Sequence, residues 1–116
     1  MLIAAALIEL ALPQAESIKA RRRVARAVRD RLQQRFNVAV AEVGDPDDRR
    51  TVCVGCVAVG VNPSHLRVQM ERAIRFVEGL GLAEVIGDDI VVARLDELDE
   101  VAVDETGDPP LDWEDD

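Results

Sequence analysis

The stretch Met1-Leu2-Ile3-Ala4-Ala5-Ala6-Leu7-Ile8-Glu9-Leu10-Ala11-Leu12-Pro13 decides the fold. It lacks the basic leading residues of a secretion signal, Glu9 interrupts it, and it is too short to cross a bilayer. A nearly continuous apolar run of this length, ended by proline, reads as a strand covered on both faces. Beyond it, Ser17 fits an N-cap. Ile18, Ala25, Val28, Leu32 and Phe36 then recur at helical spacing, which predicts a helix of about 20 residues, roughly 30 Å long.

Asn37–Val43 reads as a second strand, and Gly44-Asp45-Pro46-Asp47-Asp48 is turn chemistry. Thr51–Val61 should therefore return antiparallel. Asn62-Pro63 opens a second helix, with cap and first-turn proline in the right order. Leu66, Met70, Ala73, Ile74, Val77 and Leu80 form its apolar stripe, and Gly79 and Gly81 end it. Ala83–Arg94 is the last strand, with a bulge or break predicted at Gly87-Asp88-Asp89. Strand–helix–strand–strand–helix–strand predicts an α+β, ferredoxin-like sandwich. Its four-stranded antiparallel sheet carries both helices on one face, with the first and third strands central. The domain should occupy residues 1–94. Residues 95–116, with eleven acids, no base and Pro109-Pro110, form an acidic tail too poor in apolar residues to fold alone.

Period-two alternation has a consequence for partners. If Leu2, Ala4, Ala6, Ile8 and Leu10, with Val54, Cys56 and Ala58, face the helices, then Ile3, Ala5, Leu7, Val57, Val59 and Val61 face away. Among these outward positions only Glu9 is charged. Soluble monomers rarely expose an apolar patch of several hundred Å². A second copy, sheet against sheet, is the favoured cover, with Ile3, Ala5, Leu7, Val57 and Val59 at the interface. The tail or a different partner are the alternatives.

The charge is as asymmetric as the hydropathy. The 116 residues carry 23 acids and 14 bases, net −9. Removing the tail's eleven acids leaves 12 acids against 14 bases in residues 1–94. Eight of those bases fall between Ser17 and Phe36, against the single acid Asp30. At 100° per residue, Lys19, Arg22, Arg23, Arg26 and Arg29 share one solvent-facing arc, a spacing suited to phosphates. Arg21 falls on the apolar side, so its stem should lie on the core while its head reaches solvent. The tail, anchored through Trp113, could also occupy the basic arc, because tethering raises its local concentration to about millimolar.

At this point the sequence resembles the YlxP-like family of small bacterial proteins with an uncharacterised conserved domain. The likeness rests on Leu12-Pro13, Ser17-Ile18-Lys19, Arg21-Arg22-Arg23-Val24, Asp30-Arg31-Leu32, Arg35-Phe36-Asn37-Val38, Val40-Ala41-Glu42 and Gly55, and covers about residues 1–92. It implies a ferredoxin-like fold and a cytoplasmic protein without established enzyme activity. Members are commonly encoded near translation-initiation and ribosome-maturation genes, which implies a ribosome-linked role. The chain departs from the pattern at Ala20, where an acid would complete a capping box with Ser17. It also departs at Arg49-Arg50, where members often carry a loop aromatic. The tail lies beyond the family domain.

Other chemistry is excluded by what is missing. Cys53-Val54-Gly55-Cys56 resembles a metal or redox pair, but residues i and i+3 on a strand face opposite ways, and a structural zinc needs four ligands. Two cysteines without a secretion signal point to a reducing, cytoplasmic setting. His65, the one histidine, reads as exposed in the first turn of the second helix. Asp45, Asp47 and Asp48 lack the spacing and closing glutamate of a calcium loop. The central strands carry none of the aromatics on which an RNA-recognition motif stacks bases. No phosphate-binding glycine loop precedes either helix, and no nucleophile has a base partner. An acylphosphatase-type arginine is missing from Pro13-Gln14-Ala15-Glu16. The expectation is a cytoplasmic, non-enzymatic homodimer without cofactor, metal or membrane contact. It would meet ribosomal RNA or a ribosome-associated protein through the first helix. The alternative is a homodimeric regulatory module that binds a small ligand or protein at the open sheet face.

Overall fold

Ten residues of the opening run, Leu2–Ala11, form β1 in the computed structural model, which describes residues 1–12 and 17–101. The chain continues through α1 (Ile18–Arg35), β2 (Ala39–Glu42), β3 (Thr51–Gly60), α2 (Pro63–Leu80) and β4 (Glu84–Arg94). All four strands join one antiparallel sheet in the order β2-β3-β1-β4, the ferredoxin-like arrangement with β1 and β3 central. The physical reason is legible in composition. The two most apolar strands take the positions flanked on both sides, and the short, polar-ended β2 and the acid-bearing β4 take the edges.

Both helices pack on one face. Ala4, Ala6, Ile8, Leu10, Val52, Val54, Cys56 and Ala58 bury against Ala25, Val28 and Leu32 of α1 and Leu66, Met70, Ala73, Ile74 and Val77 of α2. Ser17 caps α1 as its sequence predicts, its Oγ accepting from the Ala20 amide at 3.2 Å. Ala20 cannot return the bond, so only half of a capping box forms. Asn62 caps α2 through the His65 amide at 3.1 Å, with Pro63 in the first turn. Gly81 closes the helix at φ 66°, a left-handed conformation that suits glycine.

Two expectations need correction. The bulge sits one step earlier than Gly87-Asp88-Asp89: Glu9 pairs with Gly87 and Leu10 with Val85, so Ile86 is the extra residue. Val61 lies just past β3 and is 90% exposed, outside the sheet face. Beyond β4, Leu95–Glu97 form a 3₁₀ turn. There Arg94 pairs with Asp96 and Glu97, and the Leu95 amide donates to the Met1 carbonyl. Trp113 and most of the acidic segment lie outside the described residues, as do the expected disorder of that segment and its contact with the basic helix. No helix among the described residues is long and apolar enough to cross a membrane.

Candidate nucleic-acid interface

The cationic arc of α1 exists as a surface. Lys19, Arg22, Arg23 and Arg26 are exposed and line one open hollow of about 620 Å³ together with Ala27 and Asp30. Arg29 does not line it but joins Arg22 and Arg26 around a smaller hollow beside Glu42 of β2, and its guanidinium pairs with Asp30 at 3.1 Å. Among the described residues, Lys19, Arg22, Arg23 and Arg26 have no carboxylate within salt-bridge distance. Of the five expected cations, four share the larger hollow without an ion-pair partner among the described residues, and Arg29, paired with Asp30, adjoins Arg22 and Arg26.

The cluster also breaks a local rule. The first turn of α1 contains no acid and places Lys19 at the positive end of the helix dipole. A cation there costs a few tenths of a kcal/mol up to about 1 kcal/mol. Conflicts of this kind concentrate where function outweighs stability, and an anion bound here would relieve both the dipole and the mutual repulsion of the arginines.

Arg21 does something different from what its position predicts. Its side chain is 1% exposed, and the head turns inward rather than toward water. Nη1 meets Glu42 at 2.5 Å, Nη2 donates to the Asp45 carbonyl at 2.9 Å, and Nε donates to the carbonyls of Asp48 and Thr51. A long side chain on the buried side of α1 thus clasps the β2–β3 loop. The loop's own acids serve its backbone. Asp45 accepts from the Asp47 amide at 2.9 Å, and Asp48 accepts from the Arg50 amide at 2.8 Å and the Thr51 hydroxyl at 2.6 Å.

Those bonds hold the Asp48 carboxyl below its ordinary pKa of 3.8, the Thr51 hydroxyl first and the Arg50 amide second. A depressed folded pKa contributes stability above the unfolded value, and that contribution is lost as pH falls through the folded one. Asp48→Asn should therefore melt earlier than wild type at pH 7. The gap should begin to narrow below about pH 4, where the unfolded aspartate protonates, and close only below the depressed folded pKa, where it is protonated in both states. Melting curves recorded from pH 7 to pH 2 check this.

Cys53 and Cys56 face opposite ways, as the strand period requires. Cys53 opposes Glu9 on the sheet's far side, and Cys56 lies in the core with its Sγ 3.9 Å from Met70 Sδ. Burial pushes both thiols above their ordinary pKa, aided at Cys53 by Glu9. Neither is shifted toward the thiolate that redox or nucleophilic chemistry needs. His65 is exposed.

The far side of the sheet carries the predicted apolar residues and more. Ile3, Ala5 and Leu7 are half-buried along β1, while Val57 is 43% and Val59 63% exposed on β3. Register adds Val91 and Ala93 of β4, opposite Ala5 and Ile3, and Ala39 and Ala41 of β2. It also adds an acid, Asp89, opposite Leu7.

The sequence reading missed a second group of cations. Arg35 at the end of α1 and Arg72 and Arg75 of α2 line a hollow of about 410 Å³ with Phe36 and Phe76. The signal was available. Helices that both return antiparallel to their preceding strands run opposite to each other, so the last turn of α1 must meet the body of α2.

Fold and surface together define a small α+β domain with a basic helical layer and an apolar sheet face. Residues 3–90 match the family described as protein of unknown function (DUF503), and the chain belongs to that family. No curated protein matches it.

Proposed function

We propose that this protein is a non-enzymatic accessory protein that contacts RNA, in a ribosome-linked setting, through the basic face of α1. The observation that carries this reading is the shared hollow of Lys19, Arg22, Arg23 and Arg26. Four cations on a rigid helix lack carboxylate partners among the described residues and repel one another, and Lys19 stands in the first turn, at the positive end of the helix dipole. The resemblance to the YlxP-like family, with members encoded near ribosome-maturation genes, supports the same setting. The test is co-sedimentation with ribosomal particles: reversing Arg22, Arg23 and Arg26 to glutamate should abolish it while the fold is retained. Unchanged co-sedimentation overturns the reading.

The sheet face favours a homodimer. Four strands at ~4.8 Å each and about eight residues at ~3.4 Å give a footprint of roughly 500 Å² before side-chain relief is counted. That is a large patch, within the ~300–600 Å² of the biggest ones on monomers, and side-chain relief brings it toward the ~800 Å² per partner of a standard interface. Alanines at positions 5, 39, 41 and 93 would let two sheets approach to about 10 Å, the usual face-to-face spacing. Light scattering should give the mass of two chains for the wild type and 12.7 kDa for Val59→Glu. A wild-type monomer overturns the dimer and turns attention to the tail as the cover. If the dimer forms and no RNA binds, a ligand or protein held across this face becomes the favoured alternative.

A further inference from the structure

We propose that the crevice between the end of α1 and the outer side of α2 binds one unpaired nucleotide, its base against Phe36 and its phosphate among Arg35, Arg72 and Arg75. The inference rests on the RNA reading above and names the form of RNA that this part of the surface takes.

Two open hollows meet here. One, about 460 Å³, is walled by Phe36, Val68 and Arg72 with Ser64, His65 and Gln69 at its polar edge. The other, about 410 Å³, holds the three arginines. Phe36 and Arg72 line both, so each hollow has an aromatic side chain and a cation in its lining. Each volume lies within the range of sites for small molecules.

The aromatics are placed for recognition as well as packing. Phe36 and Phe76 are half-buried and meet edge to face, with ring centroids 5.6 Å apart. Arg35 already covers Phe76, its Cζ 6.0 Å from the ring centroid, and so leaves Phe36 as the ring common to both hollows. Among the described residues Arg35 and Arg72 have no carboxylate partner, and Arg75 meets only Glu71, at 3.8 Å on the exposed surface. Such a pair contributes little and is readily exchanged for phosphate. Gln69 donates to the Asn37 carbonyl at 3.4 Å, which fixes its amide and leaves its oxygen as an acceptor.

An aromatic wall, polar groups at its edge and cations beyond it are what an unpaired nucleotide requires: a face to stack on, donors and acceptors for the base edge, and charge for the phosphate. A continuous duplex could use the arginines but keeps its bases out of reach of Phe36. An acidic peptide could also use the arginines but has no base to stack.

Fluorescence anisotropy with the full chain separates these cases, using a labelled ten-uridine strand and a labelled blunt-ended RNA duplex of similar charge. Phe36→Leu and Arg72→Ala should each weaken the single strand about tenfold, within the range of one lost base stack, and change the duplex less than twofold. Phe36→Leu keeps an apolar side chain against the core. If it nevertheless unfolds by circular dichroism, Arg72→Ala and a titration with uridine 5′-monophosphate carry the test, the nucleotide being expected to shift the proton resonances of His65. Duplex and single strand bound with wild-type affinity by both variants, or Arg72→Ala weakening the two RNAs equally, overturns the crevice and leaves the α1 reading standing. Absence of binding to either RNA by the wild type overturns both.

Discussion

Arg21→Met should lower the unfolding free energy by about 3 kcal/mol and the melting temperature by roughly 12–24 °C, using the ~4–8 °C per kcal/mol of a domain this size. Methionine fills nearly the same volume, so the loss is not one of packing. Removing the guanidinium leaves the Glu42 carboxylate and the carbonyls of Asp45, Asp48 and Thr51 without their shared donor. Breaking a buried pair by deleting one partner typically costs 3–5 kcal/mol. The lower end applies because the Glu42 side chain is 29% exposed and can regain water. Glu42→Gln should cost less, since Arg21 would keep its three carbonyl contacts. The two variants also differ in place. Arg21→Met should speed amide exchange at Arg50 and Thr51 even under conditions where the core is folded, because the loop loses its clasp. A drop below 1 kcal/mol with unchanged exchange would show that β2 and its loop are held by the strand pairing alone.

Arg21 also marks the limit of sequence reading in this protein. The period of α1 put it on the buried side, but the side chain's reach and direction depend on what lies beneath. That is the β2–β3 loop, brought there only by tertiary structure. Elements with a strong, repeated signal came through closely: β1 and β3 as the central pair, the caps at Ser17 and Asn62, the αL glycine at Gly81 and the alternation that splits Cys53 from Cys56. The bulge was displaced because Gly87-Asp88-Asp89 advertises turn propensity, whereas the extra residue is fixed by register against Glu9 and Leu10. The α1 half of the candidate interface could be read because it lies within one helix, where a wheel suffices. Arg29 belonged to that wheel yet is paired with Asp30 beside the hollow at β2. The crevice at Phe36 was not read because its residues come from two helices separated by almost the whole hairpin, and no local period links them.

Charge reversal on α1 should separate binding from stability. If Lys19, Arg22, Arg23 and Arg26 each neutralise one phosphate, wild-type affinity for duplex RNA should fall with a log–log salt slope of roughly −3.6, about 150-fold between 50 and 200 mM salt. Replacing Arg22, Arg23 and Arg26 with glutamine leaves one contact and a slope of roughly −0.9. Replacing them with glutamate adds repulsion and should abolish binding over that whole range. The same substitutions should not harm the fold, because these side chains are exposed and have no ion-pair partner among the described residues. The glutamate variant should melt within about ±0.5 kcal/mol of wild type, since all three positions are exposed and lie beyond the first turn of α1. Lost binding accompanied by unchanged stability is an outcome that a merely solvated helix face does not produce. A wild-type salt slope near zero, or glutamate variants that destabilise as much as they weaken binding, would mean that these arginines serve the fold rather than a phosphate backbone.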